Sequence, residues 1–249
     1  MATKVEKLTP EAVMAAVNKQ FGAGTMKMAD DESLTIIKHP SGVLAFDEVM
    51  QGGVARGRFI EIYGQEGIGK TALAMCIVAA VQAAGGRAAW VDCENRFHKK
   101  FAKHIGVNTK ELAYHEQDSG PVAVDFMDTL LRSRLWDVIV LDSIASLIPK
   151  EEHDKSMSAG SMGMEQAKLM SKALRKLTSA NTSQGAIVVM LNQTREAVGV
   201  MFGDKTTTSG GRAMRFYAST RIEMVRTETL KKSTRVVNQK TGEIGRAHV

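Results

Sequence analysis

The chain has 249 residues, of which 44% are hydrophobic, and its formal net charge is +6. This length and apolar content predict one substantial core with a small appendage, and the moderate basic charge suits a polyanionic partner without establishing one. No apolar run approaches 18 residues and the N-terminus lacks an apolar signal core, which predicts a cytoplasmic protein with no membrane segment. Cys76 and Cys93 lack metal-ligand spacing and are expected to be reduced core thiols.

The first predicted element is a helix within residues 1–32. Thr9 is a typical N-cap residue, and Pro10 and Glu11 suit the first helical turn. Four apolar residues give the helix one apolar face: Val13, Met14, Val17 and Phe21. After the helix ends in FGAGT, the segment LTIIKHPSG predicts a short strand and a turn.

From Arg58 onward, short apolar runs alternate with helical patterns. Continuous apolar runs are typical of strands buried on both faces, so the alternation predicts an α/β fold with a mostly parallel sheet flanked by helices. The segment YASTRIEMVR alternates between apolar and polar residues and is predicted as an antiparallel edge strand. The predicted strands are RFIEIYG, RAAWVDCE, WDVIVLDS and GAIVVMLNQ, and the helices are residues 71–84, RFHKKFAKHIG, DFMDTLLRSR and GMEQAKLMSKALRKLTSAN.

Residues 64–71, GQEGIGKT, match the pattern G-x-x-x-x-G-K-[ST] between a predicted strand and a predicted helix. In such a loop, successive N–H groups point at phosphate oxygens, and the helix N-terminus adds a positive dipole end. Lys70 is expected to reach the β- and γ-phosphates, and the Thr71 hydroxyl to ligate Mg²⁺. A chance match in a glycine-rich chain is the alternative. The predicted nucleotide-binding residues of the loop are Gly64, Gln65, Glu66, Gly67, Ile68, Gly69, Lys70 and Thr71.

Three acidic residues near the ends of predicted strands complete this site. Asp142 follows the apolar run of WDVIVLDS, and a carboxylate there suits the magnesium ion of a phosphate loop, although such a residue also caps turns. Hydrolysis needs a group that orients or deprotonates water, and Asp92 and Glu94 in WVDCEN are both candidates. These residues alone do not decide between the two.

Two long polar segments, residues 151–163 and 195–212, follow the carboxyl ends of predicted strands, where α/β sheets bind their ligands. Met201 and Phe202 are apolar residues within the second segment. They suit a wedge that enters a base stack, and the alternative is packing onto the domain surface. Other residues of the segment can contact phosphates: Arg195, Lys205, Thr206, Thr207, Thr208, Ser209 and Arg212.

These motifs, in this order, resemble the RecA recombinase family of bacteria and phages. The resemblance runs from KQFGAGT to YASTRIEM through IEIYGQEGIGKT, WVDCEN, DVIVLDS, LNQTREAVGVMFGDKTTTSGG and GRAMRFYAS. It implies a DNA-dependent ATPase that uses ATP and Mg²⁺, forms filaments on single-stranded DNA and exchanges strands with double-stranded DNA. It also implies that Glu94 activates water, that Lys70 binds phosphate, and that Gln193 senses the γ-phosphate.

The resemblance implies that the two polar segments contact DNA and that the N-terminal helix packs on a neighbouring subunit, which generates a helical homo-oligomer. Packing of that helix on its own domain is the alternative. The DNA-contact residues implied are Met162, Gly163, Arg195, Met201, Phe202, Gly203, Lys205, Gly210, Gly211 and Arg212.

The chain departs from the family pattern in two places. His98 and Phe101 occur where the family often has Asp and Tyr beside the adenine; Phe101 can still stack on a base, whereas His98 cannot supply that carboxylate. After Arg235 the family pattern is lost, and IGRAHV resembles a translated sequencing adapter. The expected organisation is therefore an oligomerisation segment over 1–32, an ATPase core over 33–242 and a non-native tail over 243–249. Two rival functions are a hexameric helicase motor and an ATP- or DNA-binding module without turnover.

Overall fold

A computed structural model of the chain describes residues 9–117, 119–147, 162–181, 185–196, 206–210, 212–227, 233–237 and 244–248. Only the backbone is described for residues 162–165, 195–196, 206–207, 233–237 and 244–248. The chain forms two compact units, residues 1–37 and 38–249. Within the described residues, no helix is long and apolar enough to cross a membrane.

The first unit contains helix α1 (Pro10–Phe21) and a 3₁₀ helix at Glu32–Leu34. The helix begins where the sequence predicts, because the Thr9 side chain accepts a hydrogen bond from the Ala12 N–H. No residue of α1 is buried, and the Phe21 side chain is 67% exposed. On its apolar face, Val13 and Phe21 are exposed, whereas Met14 and Val17 are half-buried.

Six parallel strands form the central sheet of the second unit, in the spatial order β5-β4-β6-β7-β3-β9. This arrangement confirms the predicted α/β fold with a mostly parallel sheet. A further strand, β8 (Thr206–Thr208), pairs antiparallel with β7. The six strands are β3 (Phe59–Gly64), β4 (Ala88–Asp92), β5 (Leu112–Glu116), β6 (Val138–Asp142), β7 (Ile187–Glu196) and β9 (Thr220–Met224).

Helices cover both faces of the sheet, because successive side chains of a strand point to opposite faces. Val138 and Val140 of β6 join the apolar cluster beneath α3 (Lys70–Ala83) and α4 (Lys99–Ile105). Ile139 and Leu141 join the cluster beneath α5 (Gly120–Ser133) and α6 (Met162–Ala180). Strands buried on both faces explain why their sequences are continuous apolar runs. Two short helices, α2 (Leu44–Val49) and α7 (Ala213–Tyr217), complete the unit.

Two-stranded antiparallel ladders lie outside the central sheet. β1 (Lys38–His39) pairs with β2 (Val54–Ala55), so only the central two residues of LTIIKHPSG form a strand. β10 (Ser233–Val237) pairs with β11 (Ile244–His248), which lies within the predicted non-native tail. The structure does not test the origin of that tail, and the assignment stays a prediction.

The sequence-based prediction was wrong about β9 and missed β5. β9 runs parallel to β3, not antiparallel. Its alternating pattern reflects its position at the edge of the sheet, where side chains are less covered, and an edge position does not determine direction. β5 is the opposite edge strand, and its sequence LAYHE has too few apolar residues to stand out as a buried run.

The parallel register brings the functional motifs to one edge of the sheet. Asp92 at the end of β4 is level with Asp142 at the end of β6. Gly64 at the end of β3 is level with Gln193 in β7. The four motifs that the sequence separates by up to about 130 residues therefore meet where their strands reach the same edge.

Candidate active site

The phosphate loop joins β3 to α3. It contains glycine at three positions whose backbone conformation other residues rarely adopt. Gly64, Gly67 and Gly69 have φ values of 150°, 74° and 97°. A Cβ atom at Gly64 would lie 2.3 Å from the Met224 carbonyl oxygen of β9. Helix α3 begins immediately after Gly69, so its unpaired N–H groups face the loop. The loop therefore has the backbone shape and the electrostatic character of a phosphate site.

Lys70 is the first residue of α3, and its ammonium group turns back toward the loop. Its Nζ atom donates to the Gly64 carbonyl at 3.0 Å and to the Gln65 carbonyl at 2.6 Å. Burial lowers the pKa of Lys70, while Glu94 and Asp142 act to raise it. The ammonium group thus lies at the loop's centre, where incoming phosphate oxygens can replace the two carbonyl acceptors.

A cleft of about 360 Å³ opens beside the loop. This volume is in the range of small-molecule sites, which is roughly 300–1,000 Å³. Its walls contain most of the predicted nucleotide-site residues together with three that the sequence interpretation did not assign, Ala72, Arg96 and Ser143. The lining residues are Glu66, Gly67, Gly69, Lys70, Thr71, Ala72, Glu94, Arg96, Phe101, Asp142, Ser143 and Gln193.

Thr71 and Asp142, the two predicted metal ligands, are in contact. The Thr71 hydroxyl donates to Asp142 Oδ2 at 3.2 Å. Burial and the nearby Glu94 and Asp92 carboxylates raise the pKa of Asp142 to about 7. A bound cation stabilises the charged form of a half-buried carboxylate that lies beside other carboxylates. No cluster of three or more His, Cys, Asp or Glu side chains suited to a metal occurs among the described residues. This pair fits Mg²⁺, which proteins usually hold by one or two side chains with phosphate and water ligands.

Glu94 reaches the cleft and connects the ends of three strands. Its Oε1 atom accepts hydrogen bonds from the Ser143 hydroxyl at 2.5 Å and from Gln193 Nε2 at 3.0 Å. Ser143 directly follows β6, and Gln193 lies in β7. The carboxylate that the resemblance assigns to water activation is therefore held in a defined orientation, in contact with the predicted γ-phosphate sensor.

Asp92 has a different role from Glu94. It is buried, and its carboxylate accepts hydrogen bonds from the backbone N–H groups of Glu94, Arg96 and Phe97 and from the Tyr114 hydroxyl. These four donors engage both carboxylate oxygens. Of the two carboxylates that the residues alone left open, Glu94 lines the cleft and Asp92 positions the turn that carries it.

Phe101 and His98 occupy the start of α4. The Phe101 ring is 44% exposed and lines the cleft, as a base-stacking residue requires. His98 is the N-cap of the helix, because its Nδ1 atom accepts a hydrogen bond from the Phe101 N–H at 3.0 Å. His98 therefore has a structural function in placing Phe101, and contact of Phe101 with a base stays a prediction.

The predicted DNA-contact residues are only partly described, and their DNA contacts stay predictions. Arg212 is exposed just before α7, whereas Gly210 is buried against Met170 of α6. Only the backbone is described for Met162 and Gly163, which lie in α6, and for Arg195, which lies in β7. There Arg195 pairs with Thr207 of β8. Residues outside the described part of the chain are Met201, Phe202, Gly203, Lys205 and Gly211.

A buried polar network beneath the site was missed by the sequence interpretation. Glu61, in the middle of β3, is fully buried and forms an ion pair with Arg221 of β9. Its other oxygen accepts a hydrogen bond from Asn192 Nδ2 at 2.7 Å, and Asn192 also donates to the Ser209 carbonyl at 3.0 Å. The signal was present, because a glutamate inside the apolar run RFIEIYG requires a partner when it is buried. The network ties β3 to the chain just after β8.

The chain was compared with known proteins. The family model described as the RecA N-terminal domain matches residues 9–244. The chain is 44% identical over 230 residues to "Protein RecA" of Frankia casuarinae, covering 92% of this chain and 66% of that protein. It is 43% identical over 233 residues to the proteins of the same name from Mycobacterium ulcerans and Kineococcus radiotolerans, covering 93% of this chain and 67% of each. The parallel sheet, the phosphate loop and these matches agree, and the chain belongs to the RecA family.

Proposed function

We propose that the chain is a DNA-dependent ATPase that assembles on single-stranded DNA and catalyses homologous pairing and strand exchange. The observation that carries the proposal is one cleft that combines the phosphate loop, the Thr71–Asp142 pair and the Glu94–Gln193 contact. The chain spans about two thirds of the length of the curated relatives that it matches. The activity of a whole recombinase is therefore a proposal for this chain.

Each polar group of the cleft has a part in ATP hydrolysis. Lys70 and the loop N–H groups bind the β- and γ-phosphates. Thr71 and Asp142 hold Mg²⁺, which supplies positive charge to the phosphates when it is bound. Glu94 accepts a proton from, or orients, the attacking water, and the Ser143 hydroxyl fixes the direction of its carboxylate. Phe101 stacks on the adenine.

Gln193 links the nucleotide to the DNA segment. Its amide donates to Glu94, and a γ-phosphate beside Glu94 offers that amide a second, more negative acceptor. β7 continues from Gln193 to Glu196, where it pairs with β8. A shift of Gln193 is therefore passed along the backbone to the residues that flank the predicted DNA-contact segment.

DNA binding and self-assembly complete the proposal. The basic and apolar residues of segments 151–163 and 195–212 contact single-stranded and double-stranded DNA. The apolar face of α1, which includes the exposed Val13 and Phe21, packs on a neighbouring copy, and this contact builds a helical filament. A cytoplasmic location follows from an activity on chromosomal or phage DNA.

The test is ATP hydrolysis with and without single-stranded DNA, comparing the wild type with Glu94→Gln. The glutamine can still accept the Ser143 and Gln193 hydrogen bonds but cannot take a proton. We expect stimulation by DNA in the wild type and a loss of about 100-fold or more in Glu94→Gln, with ATP binding retained. Glu48→Gln, on the exposed surface of α2, is the matched control and should hydrolyse ATP normally.

Three outcomes would contradict the proposal. Near-normal hydrolysis by Glu94→Gln would remove that residue from the chemistry. ATP binding without hydrolysis by the wild type would favour the binding module. Closed hexamers that unwind duplexes in one direction would favour the helicase motor, and electron microscopy of the same samples distinguishes rings from filaments.

A further inference from the structure

The backbone of Arg96 is held in place by hydrogen bonds, whereas its guanidinium group is exposed. The residue lies between β4 and α4, and its N–H donates to the buried Asp92 carboxylate at 3.0 Å, as does that of Phe97 at 2.9 Å. The side chain is nevertheless 67% exposed. No role for this residue was predicted from the sequence. The structure thus anchors the base of the side chain and leaves the guanidinium group able to exchange partners.

The guanidinium group lies between the phosphate loop and the carboxylate proposed to activate water. Arg96 Nη1 is 2.7 Å from Glu66 Oε1 and 3.8 Å from Glu94 Oε2. The Glu66 side chain is itself 73% exposed, and ion pairs between exposed side chains contribute little stability. Because the pair with Glu66 is weak, a more highly charged ligand in the cleft can displace it.

The distribution of charges in the cleft favours a phosphate-binding role for the cation at Arg96. The cations of the lining are Lys70 and Arg96, and three carboxylates face them, from Glu66, Glu94 and Asp142. Lys70 lies against the loop carbonyls of Gly64 and Gln65. Arg96 is the cation nearer to Glu94 Oε2, which marks the side of the cleft where a terminal phosphate meets the attacking water in the proposed reaction.

We propose that Arg96 is a substrate-contact residue that binds the terminal phosphate of a nucleoside triphosphate from within the same chain. In the nucleotide-free chain its guanidinium group pairs with Glu66, and on triphosphate binding it exchanges that carboxylate for the γ-phosphate. Arginine suits this role because its planar fork matches phosphate oxygens. Since a diphosphate lacks that group, Arg96 makes the site prefer ATP to ADP. This inference rests on the proposed nucleotide function.

The test compares the affinities of the full chain for a slowly hydrolysed triphosphate, ATPγS, and for ADP, both with Mg²⁺, by isothermal titration calorimetry. We expect Arg96→Ala to weaken ATPγS binding about tenfold or more, as the loss of a charge-assisted contact does, and to change ADP binding less than about twofold. Arg96→Lys should recover part of the preference. Glu66→Gln, which removes the competing carboxylate, should tighten ATPγS binding.

Arg56→Ala is the matched control. Arg56 Nη1 is also 2.7 Å from a carboxylate oxygen, that of Asp137, at the opposite end of β6 from Asp142. Its removal should leave the affinities for both nucleotides unchanged. Equal losses for both nucleotides in Arg96→Ala, or no loss for either, would overturn the inference and leave Arg96 as a surface ion-pair residue.

The wild type and Lys70→Ala separate this inference from the proposed function. If the wild type binds ATPγS and Lys70→Ala does not, the nucleotide function stands and the Arg96 result is decided on its own. If the wild type binds neither nucleotide, the proposed function and the inference both fail.

Discussion

At the scale of single residues, the site concentrates negative charge before any ligand binds. Asp142 is half-buried near Glu94 and Asp92, and its pKa is raised to about 7 by burial and by those two carboxylates. An unfolded chain would give this residue a pKa near its ordinary value of 3.8. In the metal-free native chain, Asp142 therefore binds its proton at pH values where the unfolded chain has released it.

Such a difference makes the stability of the metal-free chain depend on pH. Between about pH 4 and pH 7 the native state holds more protons at Asp142 than the unfolded state does, so this residue lowers the free energy of unfolding as pH rises. Asp142→Asn is neutral throughout and removes the penalty. We expect the free energy of unfolding of Asp142→Asn, relative to that of the wild type, to increase by about 2 kcal/mol from pH 5 to pH 8.

Urea denaturation in EDTA without nucleotide measures this effect, and Asp30→Asn, at an exposed position in the first unit, is the control. An advantage for Asp142→Asn that is the same at both pH values would contradict the raised pKa. Saturating Mg²⁺ and ATP should reverse the order of stability at pH 8, because in the proposed site a charged carboxylate binds Mg²⁺ more strongly than a neutral amide does.

At the scale of elements, the chain on either side of segment 151–163 packs against the end of segment 195–212. Gln166 of α6 donates to the carbonyl oxygens of Ile144 and Leu147, which lie just after β6. Gly210, just after β8, has φ +79°, and a Cβ atom there would lie 2.7 Å from Met170 of α6 and 3.1 Å from Ile144. The glycine therefore permits close contact between α6, the end of β6 and the chain after β8.

Gly210→Ala should destabilise the chain by more than the cost of placing alanine in a positive-φ conformation. Gly85 is the matched control, because it has φ +83° but a Cβ atom there would meet no other atom within 4 Å. We expect Gly85→Ala to cost about 1 kcal/mol and Gly210→Ala about 2 kcal/mol more, since the methyl group displaces Met170. Urea denaturation measures both, and equal losses would show that the contact at Gly210 relaxes without cost.

At the scale of the whole molecule, the first unit has exposed apolar side chains and the second contains the proposed nucleotide site. Helix α1 buries none of its residues, and Phe21 is exposed at its end. Exposed apolar faces of this kind are typical of surfaces that pack on another chain. The proposed filament makes a second copy of the same chain the expected partner.

Phe21→Asp should therefore reduce filament assembly without changing the nucleotide site. In light scattering with single-stranded DNA, Mg²⁺ and ATPγS, we expect the variant to scatter severalfold less than the wild type, with unchanged affinity for ATPγS. Leu135→Asp, an exposed apolar residue in the turn between α5 and β6, is the control and should assemble normally. Normal assembly by Phe21→Asp would assign the apolar face of α1 another function.

Much of the fold was predictable because its determinants are local. Strands buried on both faces require continuous apolar runs. The phosphate loop is recognised from its glycines and Lys70 at a fixed spacing, directly before a helix. Edge strands were harder. β5 has a weak apolar pattern and β9 an ambiguous one, so their presence or direction depends on contacts with β4 and β3, which lie far away in the sequence.

From residue type and spacing along one strand or turn, the sequence predicted the phosphate loop with Lys70, Thr71 and Asp142, and its resemblance to a family added Glu94. Three relations required the three-dimensional structure: the position of Glu94 in the cleft while Asp92 accepts backbone N–H groups, the contact of Glu94 with Ser143, and the burial of Glu61 against Arg221. The structure also placed Arg96 between Glu66 and Glu94. These relations join the ends of different parallel strands, and the order of strands in the sheet, which local patterns do not encode, brings them together.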